Sequence, residues 1–495
     1  IENTCFFVTG DVTVQGTGKF VLKGTTETQY GQYKGPAMPQ AEVQMVFNEE
    51  GWHNIASPVS DKTVGDFAGE NNSAAPNAEL TINLNPGDEN LRWYNTNLYG
   101  AEDLGHGQGD DYSHAWGKWL PAIASDPFNH TRSFNFYLDG YYNGPNQTLS
   151  ISGTLNDGDL TYVTSNKYYG WNNVPNPYPT VVDWEEVIED FDHDGTTTND
   201  FTLSFHIWDP ANQSYAACQG VLGAGVGTGA AAPGNYEGAT SSEIDVVSDN
   251  ARYIAPFQSY WVERVDALPE SIATSVAPTD KTFFMKNSHR VLCEQTRHFK
   301  TTNTTDKIRL LASSNQNKYR DQTVLMFDNV FKNGYSKFED TKKLFSLNSE
   351  AVQLFQLVES NAVIIGSYTY PFNEYQVQPL GVRAIHQGQV NISGIKKPFG
   401  WDVYLEDVKT GVIHNMDNGN FSFTHDANFG YHRLNLIYSS YKIDPEEIEQ
   451  RIFVYGSSQG ILINTKRLPA GQLNVLVSNA LGQLMYTNNA ENTSE

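Results

Sequence analysis

Short runs in which apolar and polar residues alternate recur along most of the chain, separated by glycine, asparagine, aspartate and proline. Residues Ala41–Phe47 and Ser133–Leu138 are clear examples, and residues 403–405 form a shorter one. A period of two is the pattern of a β-strand with one face in a core. Helical turns are indicated only in Trp184–Ile188 and in residues 340–355. The pattern therefore predicts a mostly β protein.

One β-rich motif occurs twice. GWHNIASPVSDKTVGDF begins at Gly51, and GWNNVPNPYPTVVDW begins at Gly170. Each copy has the pattern of a strand that ends in a proline-containing turn, because proline fixes φ and stops a strand from continuing. The tryptophans, Trp52 and Trp171, supply large apolar surfaces. They are interpreted as core residues, and a ligand site lined by one of them is the alternative.

The similarity extends downstream of each motif. LRWYN, which contains Trp93, aligns with HIWDP, which contains Trp208. Residues 133–136 align loosely with residues 258–261. We therefore expect two copies of one β unit to follow each other, with glycines and prolines marking their turns.

A length of 495 residues suits roughly three or four domains. The predicted fold class is all-β, with tandem β-sandwich domains of jelly-roll or Ig-like type and a small Ig-like module at the C-terminal end. The expected boundaries are 1–150 with the first repeat, 151–280 with the second, 281–440 for a third sandwich, 441–450 for a charged linker and 451–495 for a partial C-terminal module.

The charge balance excludes some classes of partner. The chain has 32 basic and 57 acidic residues, a formal net charge of −25. A field of this sign repels nucleic acid and anionic lipid and is compatible with cations. No apolar run approaches the roughly 20 residues of a membrane span. The chain begins with Ile1 rather than methionine, which fits either the removal of an export signal or a sequence that begins inside a longer chain.

The end of the sequence carries a family resemblance. RIFVYGSSQGILINTKRLPAGQLNVLVSNALGQLMYT resembles the C-terminal sorting domain of proteins exported by the type IX secretion system of Bacteroidota. The matching positions are Asn479, Leu481, Gly482, Gln483, Leu484 and Tyr486. The segments GWNNVPNPYPTVVDW, HIWDPANQSY and IAPFQSYWVE are similar to large secreted surface proteins of the same bacteria. The resemblance implies export by the type IX machinery and an extracellular or cell-surface location.

The sorting domain of that family continues for further strands, whereas this sequence ends soon after Tyr486. A sandwich that lacks edge strands exposes unpaired backbone groups. Such an edge can accept a strand from a neighbouring molecule. The expectation is a homo-oligomer or filament that assembles through one end of the chain.

Three motifs that suggest chemistry have simpler explanations. GSSQG at residues 456–460 matches the G-x-S-x-G pattern of hydrolases, but no histidine follows it, so a hairpin turn is predicted. The glycine-rich residues 223–229 lack the lysine of a phosphate loop. Residues 102–114 cluster carboxylates and two histidines without H-E-x-x-H spacing, so a solvated loop is favoured over a metal site.

DFDHDGTTTND, residues 190–200, is the strongest candidate for a site. Alternating aspartates followed by a glycine can direct several oxygens at one Ca²⁺ ion, which takes six to eight oxygen ligands. The candidate ligands are Asp190, Asp192, Asp194, Thr196 and Asp200. Position 12 of an EF-hand loop would be Phe201 rather than glutamate. A structural calcium ion and an acidic solvated turn both remain possible interpretations.

These features predict a secreted structural or adhesive protein of the cell surface, and not an enzyme. The alternative is a secreted carbohydrate-binding protein, in which exposed tryptophan and tyrosine rings stack on a surface glycan. A hydrolase is the third possibility.

Overall fold

The structure is a computed structural model, and it confirms the all-β prediction, with 55% of residues in strands and 7% in helices. The model describes residues 5–7, 19–26, 29–38, 40–72, 81–99, 117–138, 147–188, 200–222, 231–239, 253–268, 277, 279–292, 306–346, 348–385, 387–444, 453–457, 460–464, 471–478 and 483–492. Its antiparallel sheets form β-sandwich units that follow one another along the chain.

The first unit packs a four-stranded sheet, in the order β7-β10-β8-β9, against a three-stranded sheet, in the order β11-β6-β2. Its strands are β1 (Cys5–Phe7), β2 (Phe20–Leu22), β3 (Gly24–Thr26), β4 (Gln29–Tyr30), β5 (Gln32–Lys34), β6 (Ala41–Phe47), β7 (Gly51–Ala56), β8 (Leu91–Tyr99), β9 (Gly117–Pro121), β10 (Ser133–Leu138) and β11 (Gln147–Gly153). In β6 the buried residues Ala41, Val43 and Met45 alternate with partly exposed ones, so one face of the strand enters the core.

A helix, α1 (Val64–Asn71), begins within the last residues of the first repeat motif and was not anticipated. Thr63 caps it, because its hydroxyl accepts a hydrogen bond from the Asp66 amide at 3.2 Å. The Asp66 carboxylate in turn accepts one from the Thr63 amide at 2.9 Å. This reciprocal capping box satisfies two backbone donors that a helix N-terminus otherwise leaves free.

The second unit contains a five-stranded sheet, in the order β13-β19-β15-β16-β17, beside smaller sheets. Its strands are β12 (Leu160–Ser165), β13 (Trp171–Pro175), β14 (Val181–Asp183), β15 (Phe201–Asp209), β16 (Ser214–Leu222), β17 (Ala231–Ala239), β18 (Tyr253–Ile254), β19 (Ser259–Arg264), β20 (Asp280–Met285) and β21 (Arg290–Val291). The short helix predicted from WEEVI is present as α2 (Trp184–Ile188). β20 and β21 pair with β12 and β14, so they belong to this unit's sheets.

The third unit is an eleven-stranded sheet wrapped around its own apolar core. Its strands are β22 (Asp306–Ser314), β23 (Arg320–Asp328), β24 (Thr341–Lys342), β25 (Gln353–Val358), β26 (Asn361–Thr369), β27 (Gln376–Arg383), β28 (Gly388–Lys396), β29 (Asp402–Asp407), β30 (Ile413–Asn415), β31 (Phe421–His425) and β32 (His432–Ser439). The predicted helical turn in residues 340–355 is wrong. Leu344 and Phe345 are buried in different clusters, so tertiary packing rather than a helix face explains their hydrophobicity.

Two separate hairpins complete the described chain. They are formed by β33 (Phe453–Ser457) with β34 (Gly460–Asn464) and by β35 (Gly471–Ser478) with β36 (Leu484–Asn492). Ser457 pairs directly with Gly460, so the described strands on either side of GSSQG form the predicted hairpin, while Ser458 and Gln459 lie outside the described residues. Within the expected linker, Ile443 is buried against the third unit.

Candidate functional site

The predicted calcium ligands lie mostly outside the described residues. This holds for Asp190, Asp192, Asp194 and Thr196, while Asp200 is described. The Asp200 side chain is 5% exposed, and its carboxylate forms an ion pair with Lys281. The ammonium group already balances the charge of Asp200, so metal binding there would require this pair to open. Within the described ranges, no three His, Cys, Asp or Glu side chains form a group that could hold a metal ion.

The other acidic and glycine-rich candidates lie outside the described residues as well. Residues 102–114 and residues 223–229 both fall in this category. The most distinctive described arrangement of polar and aromatic side chains lies elsewhere, on the main sheet of the second unit.

One face of that sheet is apolar and the other is not. Val174, Tyr260 and Val262 point into the core of the second unit. Because side chains alternate along a strand, their neighbours project from the opposite face, where Asn173 pairs with Trp261 and Trp261 with His206. We call this the aromatic face of the second unit; its residues are Trp171, Asn173, His206, Trp208, Tyr215, Ser259, Trp261 and Glu263.

The first unit has the same construction. Its four-stranded sheet follows the same order of equivalent strands, with β7, β10, β8 and β9 matching β13, β19, β15 and β16. The aromatic face of the first unit comprises Trp52, Asn54, Arg92, Tyr94, Trp119, Ser133 and Asn135. The predicted repeat is thus confirmed as a structural repeat of strand order, with Trp52 and Asn54 equivalent to Trp171 and Asn173.

The glycine of the repeated Gly-Trp motif has a conformational role in both copies. Gly51 has φ +122° and Gly170 has φ +72°, which are conformations that favour glycine. At Gly170 a Cβ atom would also lie 3.0 Å from the Cβ of Arg264. The motif therefore marks the point where the chain turns into the first strand of each sheet.

The downstream alignment is wrong by one residue. The pairing of Ala56 with Ser133 corresponds to the pairing of Pro175 with Ser259, so Ser133 is equivalent to Ser259 rather than to Gln258. The pairing of Asn135 with Arg92 likewise corresponds to the pairing of Trp261 with His206. Two residues further along each strand, Tyr94 rather than Trp93 is therefore the counterpart of Trp208. A shift of one residue exchanges the two faces of a strand, so the correction decides which side chains line each aromatic face.

The two aromatic faces pack against each other. The rings of Tyr94 and Trp261 lie 4.8 Å apart between centroids in an edge-to-face arrangement. The Ser133 hydroxyl donates to the backbone carbonyl of Asn173 at 2.7 Å. β7 contacts β15 and β19, while its counterpart β13 contacts β8 and β10. Each strand of one unit therefore contacts the counterparts of the strands that its own counterpart contacts. This reciprocity is what an approximate two-fold axis between the two units produces.

Several buried polar atoms in this interface have no hydrogen-bond partner among the described residues. They are Asn54 Nδ2, Asn135 Oδ1, both amide atoms of the Asn173 side chain, Ser259 Oγ and the indole nitrogens of Trp171 and Trp208. Each such atom costs about 1–3 kcal/mol relative to its hydrated state.

The third unit closes one end of this interface. Lys342 of β24 forms an ion pair with Glu263, and its carbonyl accepts a hydrogen bond from His206 Nε2 at 2.9 Å. Burial lowers the pKa of His206 to about 3. The charge of the nearby Lys343 lowers this pKa further, whereas the hydrogen bond to the Lys342 carbonyl raises it. His206 is therefore neutral near pH 7, and the Glu263 carboxylate forms an ion pair with the Lys342 ammonium group. The arrangement joins the third unit to the second through one ion pair and one hydrogen bond.

A second candidate surface lies at the C-terminal end. β35 and β36 form a two-stranded antiparallel sheet, which we call the C-terminal ribbon. In the described part of the chain neither strand pairs with any other strand. Large apolar side chains of the ribbon are exposed; they are Leu476 at 62%, Leu484 at 57%, Met485 at 67% and Tyr486 at 54%. An unpaired, apolar ribbon of this kind is suited to binding another strand.

The fold and these two surfaces define an all-β protein of several sandwich units, two of which are related by an internal repeat. A family model described as a domain of unknown function, DUF8693, matches residues 54–438, and the chain belongs to this family. The match begins within β7, so it omits β1–β6 of the first unit, and it covers the second unit and nearly all of the third. No curated protein and no solved structure matches the chain. No helix among the described residues is long and apolar enough to cross a membrane.

Proposed function

We propose that this protein is a secreted structural or adhesive protein of the cell surface that assembles with further copies of itself through the C-terminal ribbon. The observation that carries the proposal is the exposure of Leu476, Leu484, Met485 and Tyr486 on a sheet whose two edges pair with no other described strand. A two-stranded hairpin is marginally stable in water, whereas added strands stabilise it. A strand from a second copy would pair with an edge and extend the sheet. Leu476 and Tyr486 lie on opposite faces of the ribbon, so the rest of the second copy would have to pack on these faces to cover the apolar side chains.

Export by type IX secretion machinery belongs to the same proposal. Its support is the resemblance of the C-terminal sequence to sorting domains of that system, including Gln483 next to β36 and Leu484 and Tyr486 within it. Asn479, Leu481 and Gly482 of the matching positions lie outside the described residues. The location implied is extracellular or at the cell surface.

Carbohydrate binding is the less favoured function. Sugar-binding sites present the faces of aromatic rings to solvent. Among the tryptophans that the structure describes, most are buried; these are Trp171, Trp184, Trp208, Trp261 and Trp401. The partly exposed Trp52 is held beneath the guanidinium of Arg92, 5.1 Å from the ring centroid. The described surface therefore supports assembly better than glycan recognition.

The experiment that tests assembly uses the substitution Tyr486→Lys in the full chain. A charge placed between two copies is desolvated without a partner, so the concentration needed for assembly should rise at least about tenfold, equivalent to about 1.4 kcal/mol. Light scattering across a concentration series and electron microscopy measure the effect. The matched control is Val330→Lys, because Val330 is 53% exposed, like Tyr486, but lies in the third unit.

The wild-type protein is expected to form particles larger than a monomer, or filaments, and the control variant should do the same. A wild-type chain that stays monomeric at every concentration would contradict the proposal. Equal losses in both variants would show that added charge, rather than the ribbon, controls association.

A further inference from the structure

A lysine and an aspartate meet in the interior of the third unit. Lys343 Nζ lies 2.6 Å from Oδ1 and 2.6 Å from Oδ2 of Asp321. The Lys343 side chain is 0% exposed and that of Asp321 is 2% exposed. Asp321 is the second residue of β23, and Lys343 directly follows β24. The pair therefore connects two segments of the sheet in a site closed to solvent.

The geometry suits a reaction between the two groups. A nitrogen at equal distances from both oxygens lies in the plane that bisects the carboxyl group, and at 2.6 Å from each oxygen it is within about 3 Å of Cγ. Attack on Cγ occurs from above or below the carboxyl plane, so it requires only a small movement of Nζ out of the hydrogen-bonding position between the oxygens. Reaction requires the attacking and attacked atoms to be held about 3–3.5 Å apart in a fixed orientation. The backbone holds both partners, because the Lys343 amide donates to the Ala362 carbonyl at 2.8 Å and Asp321 pairs with Ala312 of β22.

One backbone amide is placed to assist. The Leu354 amide donates a hydrogen bond to Asp321 Oδ2 at 2.8 Å. If a nucleophile adds to Cγ, negative charge develops on a carboxyl oxygen. A preorganised N–H group at that oxygen stabilises the developing charge, as in an oxyanion hole.

Burial also favours the reactive protonation states. It raises the pKa of the Asp321 carboxyl, with the Lys343 ammonium and the hydrogen bonds to Leu354 and Gln322 acting in the opposite direction. It lowers the pKa of the Lys343 ammonium, against the effect of Asp321. An uncharged amine is a nucleophile and an uncharged carboxylic acid is its electrophile, whereas the ion pair is neither.

We propose that Lys343 and Asp321 form a side-chain amide cross-link within the third unit. The Nζ lone pair forms a bond to Cγ, and the bond between Cγ and Oδ1 breaks. Oδ1 leaves as water, carrying its own proton and one proton from Nζ. The balance needs no oxidant, reductant or further reactant. The product replaces two buried ionisable groups with one neutral amide and joins positions 22 residues apart.

A second lysine–aspartate pair provides an internal comparison. Lys442 Nζ lies 2.8 Å from Asp402 Oδ1, but the Lys442 side chain is 83% exposed. The hydrogen bond to Asp402, the largest contribution, raises the pKa of Lys442, so this amine stays protonated. A cross-link is therefore expected at Lys343 and not at Lys442, although the distances are similar.

The test is the intact mass of the full-length protein under denaturing conditions. The wild-type chain should be lighter than its sequence mass by one water molecule, and proteolysis should release one branched peptide containing Asp321 and Lys343. Lys343→Arg should restore the sequence mass, and Lys442→Arg should leave the mass deficit in place. Asp321→Asn should lose ammonia instead of water if it reacts at all.

The wild-type measurement decides the question even if a variant fails to fold. A wild-type mass equal to the sequence mass would overturn the proposal and leave a buried ion pair. A mass deficit that maps to a different pair of residues would overturn it as well. The proposal goes beyond the assembly function and does not depend on whether the protein forms filaments.

Discussion

His206 illustrates how burial fixes the protonation state of a residue in the interface between units. Its ring is packed edge-on against Trp171, with centroids 5.2 Å apart. Because Nε2 donates to the Lys342 carbonyl, the neutral ring carries its proton on Nε2. Removal from water disfavours the charged form, and the pKa falls from 6.5 to about 3. The residue therefore contributes to stability only while it remains uncharged.

This predicts how the protein responds to acid. Unfolding lets His206 take up a proton below pH 6.5, whereas the folded state resists protonation down to about pH 3. The contribution of His206 to the free energy of unfolding is thus fully present above pH 6.5. It is lost progressively as the pH falls from 6.5 to about 3. In His206→Gln, the loss of unfolding free energy between about pH 7 and about pH 5 should be roughly 2 kcal/mol smaller than in the wild type. Urea unfolding at both pH values measures it, and equal losses in the two proteins would contradict the assignment.

At the scale of strands and helices, the sequence predicted the repeat but not the helix α1 or the register of the downstream strands. The shared Gly-Trp motif located β7 and β13 correctly, because its glycine and proline have a conformational cause that does not depend on the rest of the fold. The helix α1 was missed because two glycines lower its helix propensity, although Thr63 and Asp66 form a recognisable cap signal. The register downstream was misjudged because bulges and long loops separate the two copies.

The repeat provides a matched pair of substitutions. Ser133 donates to the Asn173 carbonyl and also contacts the Tyr162 hydroxyl through its side chain. Its counterpart Ser259 is equally buried, but its hydroxyl has no protein hydrogen-bond partner in the described structure. Ser133→Ala should lower the unfolding free energy by about 1–3 kcal/mol, while Ser259→Ala should be nearly neutral or slightly stabilising.

Chemical denaturation of both variants measures the difference, and each variant controls for the loss of a hydroxyl in the other. Similar destabilisation by the two substitutions would show that the interface is more symmetric than its hydrogen bonds indicate. A larger effect of Ser259→Ala would exclude the structural assignment of the Ser133 bond.

At the scale of the whole molecule, the units are connected by contacts that no local pattern foretells. Leu344 of the third unit joins the aromatic cluster of the two repeats, and Ala217 of the second unit joins an apolar cluster of the third. Lys342 and Lys343 are adjacent in sequence, yet one pairs with Glu263 and the other with Asp321. The composition and the alternation of apolar and polar residues predicted the fold class. The contacts and ion pairs between units depend on how the sheets stack, so the spacing of residues in the sequence could not predict them.

The net charge of −25 affects how calcium binding can be tested. A strongly acidic chain attracts divalent cations diffusely, and this attraction is screened by salt. We propose that Asp190, Asp192, Asp194 and Thr196, with Asp200 if its ion pair opens, hold a structural calcium ion in the second unit. A bound ion stabilises the folded state in proportion to the logarithm of its concentration over its dissociation constant.

Chelation with EGTA should therefore lower the melting temperature, by several degrees if the free calcium had been about 100 times the dissociation constant, which corresponds to about 2.7 kcal/mol. Magnesium at the same ionic strength should not restore it, because Mg²⁺ requires a stricter octahedral geometry and keeps its water. Asp192→Asn combined with Asp194→Asn should remove the calcium effect and leave the response to sodium chloride unchanged. If calcium were only attracted diffusely to the acidic chain, the result would be the opposite. Magnesium would then stabilise the protein as well as calcium does, and the double substitution would leave the calcium effect in place. Calorimetric melts of the wild-type and substituted chains distinguish these outcomes, and an unchanged melt with EGTA would exclude a stabilising ion in this loop.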